Sequence, residues 1–208
     1  DYDVPAEAMQ HALENLQNQL SYNNDVKANG TEIAYALYVL ARNRKASVGD
    51  LRYYADTRID EFASPMARAQ IAAALALYGD SQRAERAFGS ALRLAESGNG
   101  HDIYRGDYGS ALRDGAAMLA LAAETRPAPA LIPQMISYVS ATREKARYLS
   151  TQDEAWMLLA ARAIKAGSEA IRLEVDGAPH TGSYARRMTG AELVASPVTV
   201  RNLGANPV

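Results

Sequence analysis

The sequence predicts a mainly α fold of helical hairpin repeats, followed by a short β segment. Three observations support this prediction. Apolar residues recur with helical spacing to about residue 167. Clusters of turn residues predict breaks in that pattern at Asn29-Gly30, Gly79-Asp80, Gly98-Asn99-Gly100 and residues 126–129. After Gly167 the pattern changes to the alternation that is typical of strands.

The helical part divides into eight predicted helices. Ser64-Pro65 places a capping hydroxyl before a proline at the first helical position. Ser81, Ser110 and either Ser150 or Thr151 can cap in a similar way. The predicted helices lie near residues 5–21, 31–43, 47–62, 65–79, 81–97, 110–124, 130–147 and 151–166.

The even-numbered predicted helices share one register. Each begins with Ser or Thr, has a small residue five positions later and has an alanine ten positions later. The starts are 33, 46 and 40 residues apart, which indicates a two-helix repeat. We therefore expect four hairpins, with these helices inside and the odd-numbered helices outside. The register positions are Thr31, Ala36, Ala41; Ser64, Ala69, Ala74; Ser110, Gly115, Ala120; and Ser150, Ala155, Ala160.

Two domains are predicted, a helical domain over residues 1–167 and the start of an incomplete β-sandwich domain over 168–208. Residues 170–175 alternate, Asp176-Gly177 predicts a hairpin turn, and residues 196–201 predict another strand. The chain start reads as internal to a longer polypeptide, because it lacks the composition of a signal peptide.

Composition excludes several classes of protein. Lys and Arg number 22 against 24 Asp and Glu, which argues against a nucleic-acid partner. No run of 18 apolar residues is present. The sequence has no cysteine, so this chain carries no thiol nucleophile and no thiolate zinc site. We predict no catalytic, cofactor-binding or metal-binding residues and no cofactor.

Individual polar residues do not change that prediction. The three histidines, His11, His101 and His180, share no metal-ligand spacing. The aspartates near residues 102–114 lack the pattern of a calcium loop. Thr31 is interpreted as a helix cap and Trp156 as a core residue. The polar and aromatic loop over residues 100–109 is either a functional loop or a plain connection between hairpins.

Several segments, in this order along the chain, resemble the thioester domain of bacterial alpha-2-macroglobulins. The resemblance covers roughly residues 5–167. Each segment alone is weakly specific, and their order is the stronger signal. The segments are GTEIAYALYVLARN (30–43), GDLRYY (49–54), SPMARAQ (64–70), ALALYGD (74–80), DYGSALRD (107–114) and STQDEAW (150–156).

The resemblance implies a partial α/α toroid from a broad-range protease-trapping inhibitor, which is not an enzyme. It implies a periplasmic location, with an inner-membrane anchor through a lipoprotein N-terminus in the full-length protein. In that family a thioester between Cys and Gln, in a Cys-x-Glu-Gln motif, is attacked by a lysine of the trapped protease. This chain lacks the motif, so no residue receives that role. The residue that assists the thioester is not assigned either; Asn23, Asn24, Asn29 and His101 are only candidates.

The expected partners are target proteases, the remainder of the same polypeptide and a second copy of the fragment, with no nucleic acid. Two other functions stay open from the sequence. One is a helical-repeat scaffold for protein interactions, although a tetratricopeptide period fits only one of the three spacings. The other is a relative of the toroid-type cyclases or prenyltransferases, for which the acid-rich or zinc-bearing motif is missing.

Overall fold

A computed structural model describes residues 3–98, 107–168, 171–182, 184, 186, 188–195 and 198–204. The chain divides into two compact units, Asp1–Ala160 and Ala161–Val208. The domain boundary predicted between residues 167 and 168 stays a prediction.

The described residues confirm a mainly α fold with a short β segment. A π-helical turn at Tyr54–Arg58 and a 3-10 turn at Ile59–Glu61 follow α3, and a 3-10 turn at Pro129–Leu131 precedes α7. The helices are α1 (Ala6–Tyr22), α2 (Val26–Arg42), α3 (Val48–Tyr53), α4 (Pro65–Leu77), α5 (Ser81–Glu96), α6 (Ala111–Thr125), α7 (Ile132–Lys145), α8 (Thr151–Ser168) and α9 (Gly190–Ala195). The strands are β1 (Arg172–Val175), β2 (Ala178–Thr181) and β3 (Val200–Asn202).

In the first unit, α2, α4 and α6 form an inner row. Helix α4 packs on α2, α5 and α6, while α7 packs on α6 and α1 on α2. Because α4 has neighbours on several sides, it is apolar almost all round, with Ala69, Ile71 and Ala72 to Leu75 fully buried. Helix α5 instead buries a single stripe that includes Ala84, Phe88 and Ala91. The inner and outer assignments predicted for these helices are therefore confirmed.

Three of the four predicted cap sites hold a serine that caps a helix. Ser64 Oγ accepts the Ala67 N–H at 3.1 Å, and Ser110 Oγ accepts the Arg113 N–H at 2.9 Å. Ser150 caps α8 in the same way. The prediction for Ser81 is wrong, because it is the first residue of α5. Asp80 occupies the cap position, and its side chain makes no capping hydrogen bond.

Helix α2 begins earlier than predicted, so the interpretation of Thr31 as a cap is wrong. Asp25 caps the helix by accepting the N–H groups of Lys27 and Ala28. The predicted break at Asn29 is a kink inside the helix, with φ −125° and ψ 25°. A Cβ on Gly30 would lie 3.4 Å from the Phe62 ring, which is ordinary van der Waals contact.

Gly115 confirms the role predicted for small residues on the inner helices. A Cβ at this position would lie 2.7 and 2.8 Å from two ring carbons of Tyr138, closer than van der Waals contact allows. The absence of a side chain therefore lets α6 approach α7.

Helix α8 departs from the predicted register. Ala155 is exposed, although Ala36, Ala69 and Gly115 at the equivalent positions are buried. Among its described side chains, α8 buries only Asp153 and Ala160, and Trp156 is half-buried instead of belonging to the core. The physical reason is packing, since α8 has no extensive contact with another described helix.

The second unit contains a three-stranded antiparallel sheet in the order β2-β1-β3. Strand β1 pairs with β2 along one edge, where Arg172 lies opposite Thr181. It pairs with β3 along its other edge, where Leu173 lies opposite Asn202. The predicted turn at Asp176-Gly177 is present, with φ of 51° and 83°. The strand predicted at residues 196–201 is represented by β3, and residues 196–197 lie outside the described part. Helix α9 was not predicted.

Candidate functional site

A buried polar cluster of the first unit joins the starts of α6 and α8. Ser110 Oγ donates to Asp153 Oδ1 at 2.5 Å, and Ser150 Oγ donates to Asp153 Oδ2 at 2.7 Å. The Ser150 N–H also donates to Oδ2, at 2.8 Å. One carboxylate, 5% exposed as a residue, thus binds the cap serines of two helices. We call Ser110, Ser150 and Asp153 the cap junction.

The hydrogen bonds at the cap junction explain the charge state of Asp153. Burial works to raise the pKa of this carboxyl, but the hydrogen bonds donated by Ser110 and Ser150 outweigh burial and hold the pKa below its ordinary value. Asp153 is therefore an ionised acceptor at neutral pH. It is not the protonated acid that a general-acid role would need.

A buried guanidinium supports the same region. Arg113 Nη2 lies 2.8 Å from both Asp107 Oδ2 and Asp114 Oδ1, and Nη1 donates to the Asp107 carbonyl at 2.8 Å. Arg113 and Asp114 are 6% and 0% exposed. The two carboxylates compensate the buried charge, so this group fixes the segment before α6 in place.

Two cavities lie elsewhere in the first unit. The larger, about 250 Å³, lies between α1, α2 and α3, where Gln17 Nε2 donates to the Lys45 carbonyl at 3.1 Å. The smaller, about 140 Å³, is lined by Tyr38, Arg42, Leu77, Glu124 and Thr125. Arg42 Nη1 forms a salt bridge with Glu124 Oε1 at 3.2 Å. Because both side chains are about half exposed, this salt bridge contributes little to stability.

The candidate residues for assisting a thioester do not form a site among the described residues. The Asn23 amide binds Gln19, Asn24 is exposed, and Asn29 is half-buried at the kink in α2. His101, like most of the loop over residues 100–109, lies outside the described part. His11 is exposed, and His180 packs edge-to-face on Tyr184. No cluster of three or more potential metal ligands occurs in the described ranges.

Sequence reasoning missed the cap junction, although a signal was present. Ser150 and Asp153 satisfy each other's N–H groups in a reciprocal capping box, with Asp in place of the usual Glu or Gln. Thr189 and Glu192 form the same motif at the start of α9. A search for Ser or Thr followed three residues later by an acid would have found both. The bond from Ser110 to Asp153 spans 43 residues and has no local signal.

Within the described ranges, none of the helices has the length and apolar character needed to cross a membrane. The fold and the cap junction define the class of protein: a helical-hairpin repeat domain in which a buried polar group joins the starts of α6 and α8.

Comparison with known proteins identifies the family. The chain is 35% identical to the alpha-2-macroglobulin of Escherichia coli (strain K12) over 173 residues, which are 79% of the chain and 10% of that relative. The structure matches Salmonella alpha-2-macroglobulin reacted with methylamine, with a TM-score of 0.68, 32% identity, and coverage of 98% of this chain and 14% of that chain.

A structure of Escherichia coli alpha-2-macroglobulin activated by porcine elastase matches with a TM-score of 0.67, 30% identity, and coverage of 98% and 19%. No family model matches the sequence. The chain is homologous to the bacterial alpha-2-macroglobulins. It spans about a tenth of the length of the curated relatives that it matches.

Proposed function

We propose that this chain is a structural part of the thioester-type helical domain, a partial α/α toroid, of a broad-range protease-trapping inhibitor. The observation that supports the proposal is the 35% identity to Escherichia coli alpha-2-macroglobulin, together with a structural match over 98% of the chain. The capped and closely packed helices α2, α4 and α6 suit a scaffold whose role is to hold another part of the molecule in place.

The chemistry of such an inhibitor is acyl transfer to an amine. An amine nitrogen of the protease attacks the thioester carbonyl carbon, the carbon–sulfur bond breaks, the thiolate leaves and the nitrogen loses a proton. Because this chain has no cysteine, it does not supply that thiolate. The acyl centre then belongs to another part of the polypeptide. The chain itself is not an enzyme.

The proposal includes the partners and the location. The partners are target proteases, reached through the full-length protein, and the remainder of the same polypeptide. One Escherichia coli relative is described as activated by porcine elastase. We propose a periplasmic location, with an inner-membrane lipoprotein anchor in the full-length protein. A nucleic acid is not a proposed partner, since the formal net charge of the chain is −2.

The test uses the full-length protein from the source organism, incubated with elastase and separated under denaturing conditions. We expect a covalent conjugate whose mass is the sum of protease and inhibitor. Treatment with methylamine before the protease should abolish the conjugate, because the small amine consumes the thioester. A control with elastase inactivated at its catalytic serine should give no conjugate. Failure of active elastase to form one would contradict the proposal.

A further inference from the structure

Helix α1 packs loosely against the rest of the first unit. Of its 17 residues only Leu13 is buried, and Leu16 and Leu20 are half-buried. Its one extensive neighbour among the described elements is α2. Helix α5, an outer helix of 16 residues, instead buries seven of them and packs on both α4 and α6. The apolar burial that holds α1 in place is therefore small.

Polar contacts add little to the docking of α1. Gln17 Nε2 donates to the Lys45 carbonyl at 3.1 Å, and this hydrogen bond is exposed to solvent. Other side-chain hydrogen bonds of α1 stay within the helix, as between Gln10 and Glu14. No charged side chain of α1 forms an ion pair within the described ranges. A single exposed hydrogen bond contributes only weakly to holding a helix in place.

The cavity of about 250 Å³ lies beneath the second half of α1. Leu20 and Ser21 of α1 line one side of it, and Leu37, Leu40 and Tyr54 line the other. Leu37 and Leu40 are each 1% exposed, so the floor of the cavity is apolar. Because side chains that line a cavity lack contact partners on one side, the packing beneath α1 is incomplete.

The connection between α1 and α2 makes the start of α2 independent of α1. Asp25 caps α2 by accepting N–H groups of its first turn, the nearer at 3.0 Å. Val26, the first residue of α2, is 1% exposed and belongs to the core that α2 shares with α3 and α4. Residues 23–24 are exposed. Their backbone can therefore rotate without disturbing the cap or the core.

We propose that α1 is a flap that opens about residues 23–24 while α2 to α6 stay folded, and that its opening widens the cavity into an apolar groove. A segment opens locally at low free energy when few apolar contacts and hydrogen bonds hold it. A detached helix of this length is only marginally stable in water, so the open flap also loses its helical hydrogen bonds. Opening exposes Leu37 and Leu40 to solvent. The proposal does not depend on the proposed inhibitor function.

The test is hydrogen–deuterium exchange of the 208-residue chain, measured by mass spectrometry at several low urea concentrations. We expect the amides of α1 to exchange at least about 100-fold faster than those of α2 and α5. Gln17→Ala removes the hydrogen bond to Lys45 and should speed the exchange of α1 alone by about 2–10-fold. The matched control is Gln10→Ala, which removes only a bond within α1 and should change that rate by less than about twofold.

Leu13→Ala distinguishes a flap from a helix that is integral to the core. The amides of α1 should lose their protection, while the urea midpoint of the remaining helices, followed by circular dichroism, stays unchanged. Leu92→Ala on α5 is the matched control and should lower that midpoint, because Leu92 is 3% exposed. Exchange of α1 at the same rate as α5 would overturn the proposal. So would equal lowering of the midpoint by Leu13→Ala and Leu92→Ala, or equal effects of Gln17→Ala and Gln10→Ala.

Discussion

Ser110 Oγ donates a hydrogen bond of 2.5 Å to Asp153 Oδ1, across 43 residues of sequence and between the starts of α6 and α8. The same carboxylate accepts two hydrogen bonds from Ser150 through its other oxygen. Asp153 is buried, and both of its carboxylate oxygens accept hydrogen bonds. This contact therefore stabilises the position of α8, which has few other contacts.

We predict that Asp153→Asn destabilises the chain by about 1–3 kcal/mol at neutral pH, because an amide nitrogen cannot accept and leaves a buried donor without a partner. Urea unfolding followed by circular dichroism measures this change. The control is Glu154→Gln on the exposed side of the same turn, which should change the free energy of unfolding by less than about 0.5 kcal/mol. Equal effects of the two variants would contradict a structural role for the cap junction.

The contribution of Asp153 should also depend on pH. Its folded pKa lies below the ordinary value of about 3.9, so the stabilisation is fully present above that pH. As pH falls through the lowered folded pKa, the carboxyl is protonated and the stabilisation is lost. The difference in unfolding free energy between the parent chain and Asp153→Asn should therefore shrink as pH drops below about 4. A difference that stays constant down to pH about 2 would contradict the assigned pKa direction.

Gly115→Ala should destabilise the chain by about 1–3 kcal/mol, because the new methyl group would overlap the Tyr138 ring. In the background Tyr138→Leu the cost should fall, which a double-mutant cycle of thermal or urea unfolding measures. Gly89→Ala is the matched control. It lies within α5 near only the end of the flexible Arg93 side chain, and should stabilise by about 0.5–1 kcal/mol. Equal stabilisation by Gly115→Ala and Gly89→Ala would contradict a close approach of α6 to the Tyr138 ring.

Replacing each of two buried polar residues of α4 by methionine should have different effects on the free energy of unfolding. Gln70 is 2% exposed and its Oε1 has no hydrogen-bond partner among the described residues, so Gln70→Met should be neutral or stabilise by about 1 kcal/mol. Arg68 donates to the Phe62 carbonyl, the Asp60 carbonyl and Ser90 Oγ. Arg68→Met should therefore destabilise by about 3 kcal/mol. Chemical denaturation of both variants measures the change in the free energy of unfolding. A large loss of stability in Gln70→Met would contradict the prediction.

The chain should self-associate through its exposed apolar side chains. Leu158 and Leu159 on α8 are 71% and 45% exposed, and Met9 on α1 is 38% exposed. Apolar side chains that are exposed to this extent favour association of two chains, because association removes them from water. Sedimentation velocity should show a sedimentation coefficient that rises with concentration, and the double variant Leu158→Glu/Leu159→Glu should reduce that rise. A monomer at all concentrations would contradict the prediction.

Most of the helical fold could be predicted because its signals are local. Pro65 after Ser64 marks the start of α4, and the periodic apolar stripe of α5 marks its buried face. The exposure of Ala155 could not be predicted, because it depends on which helices contact α8 and not on its own sequence. The sequence predicted a helix boundary at Asn29, whereas the structure has a kink there, because Asn-Gly occurs at boundaries and at kinks alike.

The candidate site was harder to predict than the fold. The capping box of Ser150 and Asp153 is visible in the sequence, but the third member, Ser110, joins it only through tertiary packing. The absence of a thiol nucleophile, in contrast, follows directly from the composition. A missing residue type is certain from sequence, whereas a contact between distant residues needs the fold.

We propose that this segment is scaffold within a covalent protease trap whose acyl centre lies elsewhere in the polypeptide. The most direct measurement is mass-spectrometric mapping of the conjugate between the full-length protein and elastase, after digestion of both. We predict an amide bond between an elastase lysine and an inhibitor residue outside residues 1–208, with every peptide from this segment unmodified. A cross-link to any residue of this segment, or the absence of a conjugate, would contradict the account.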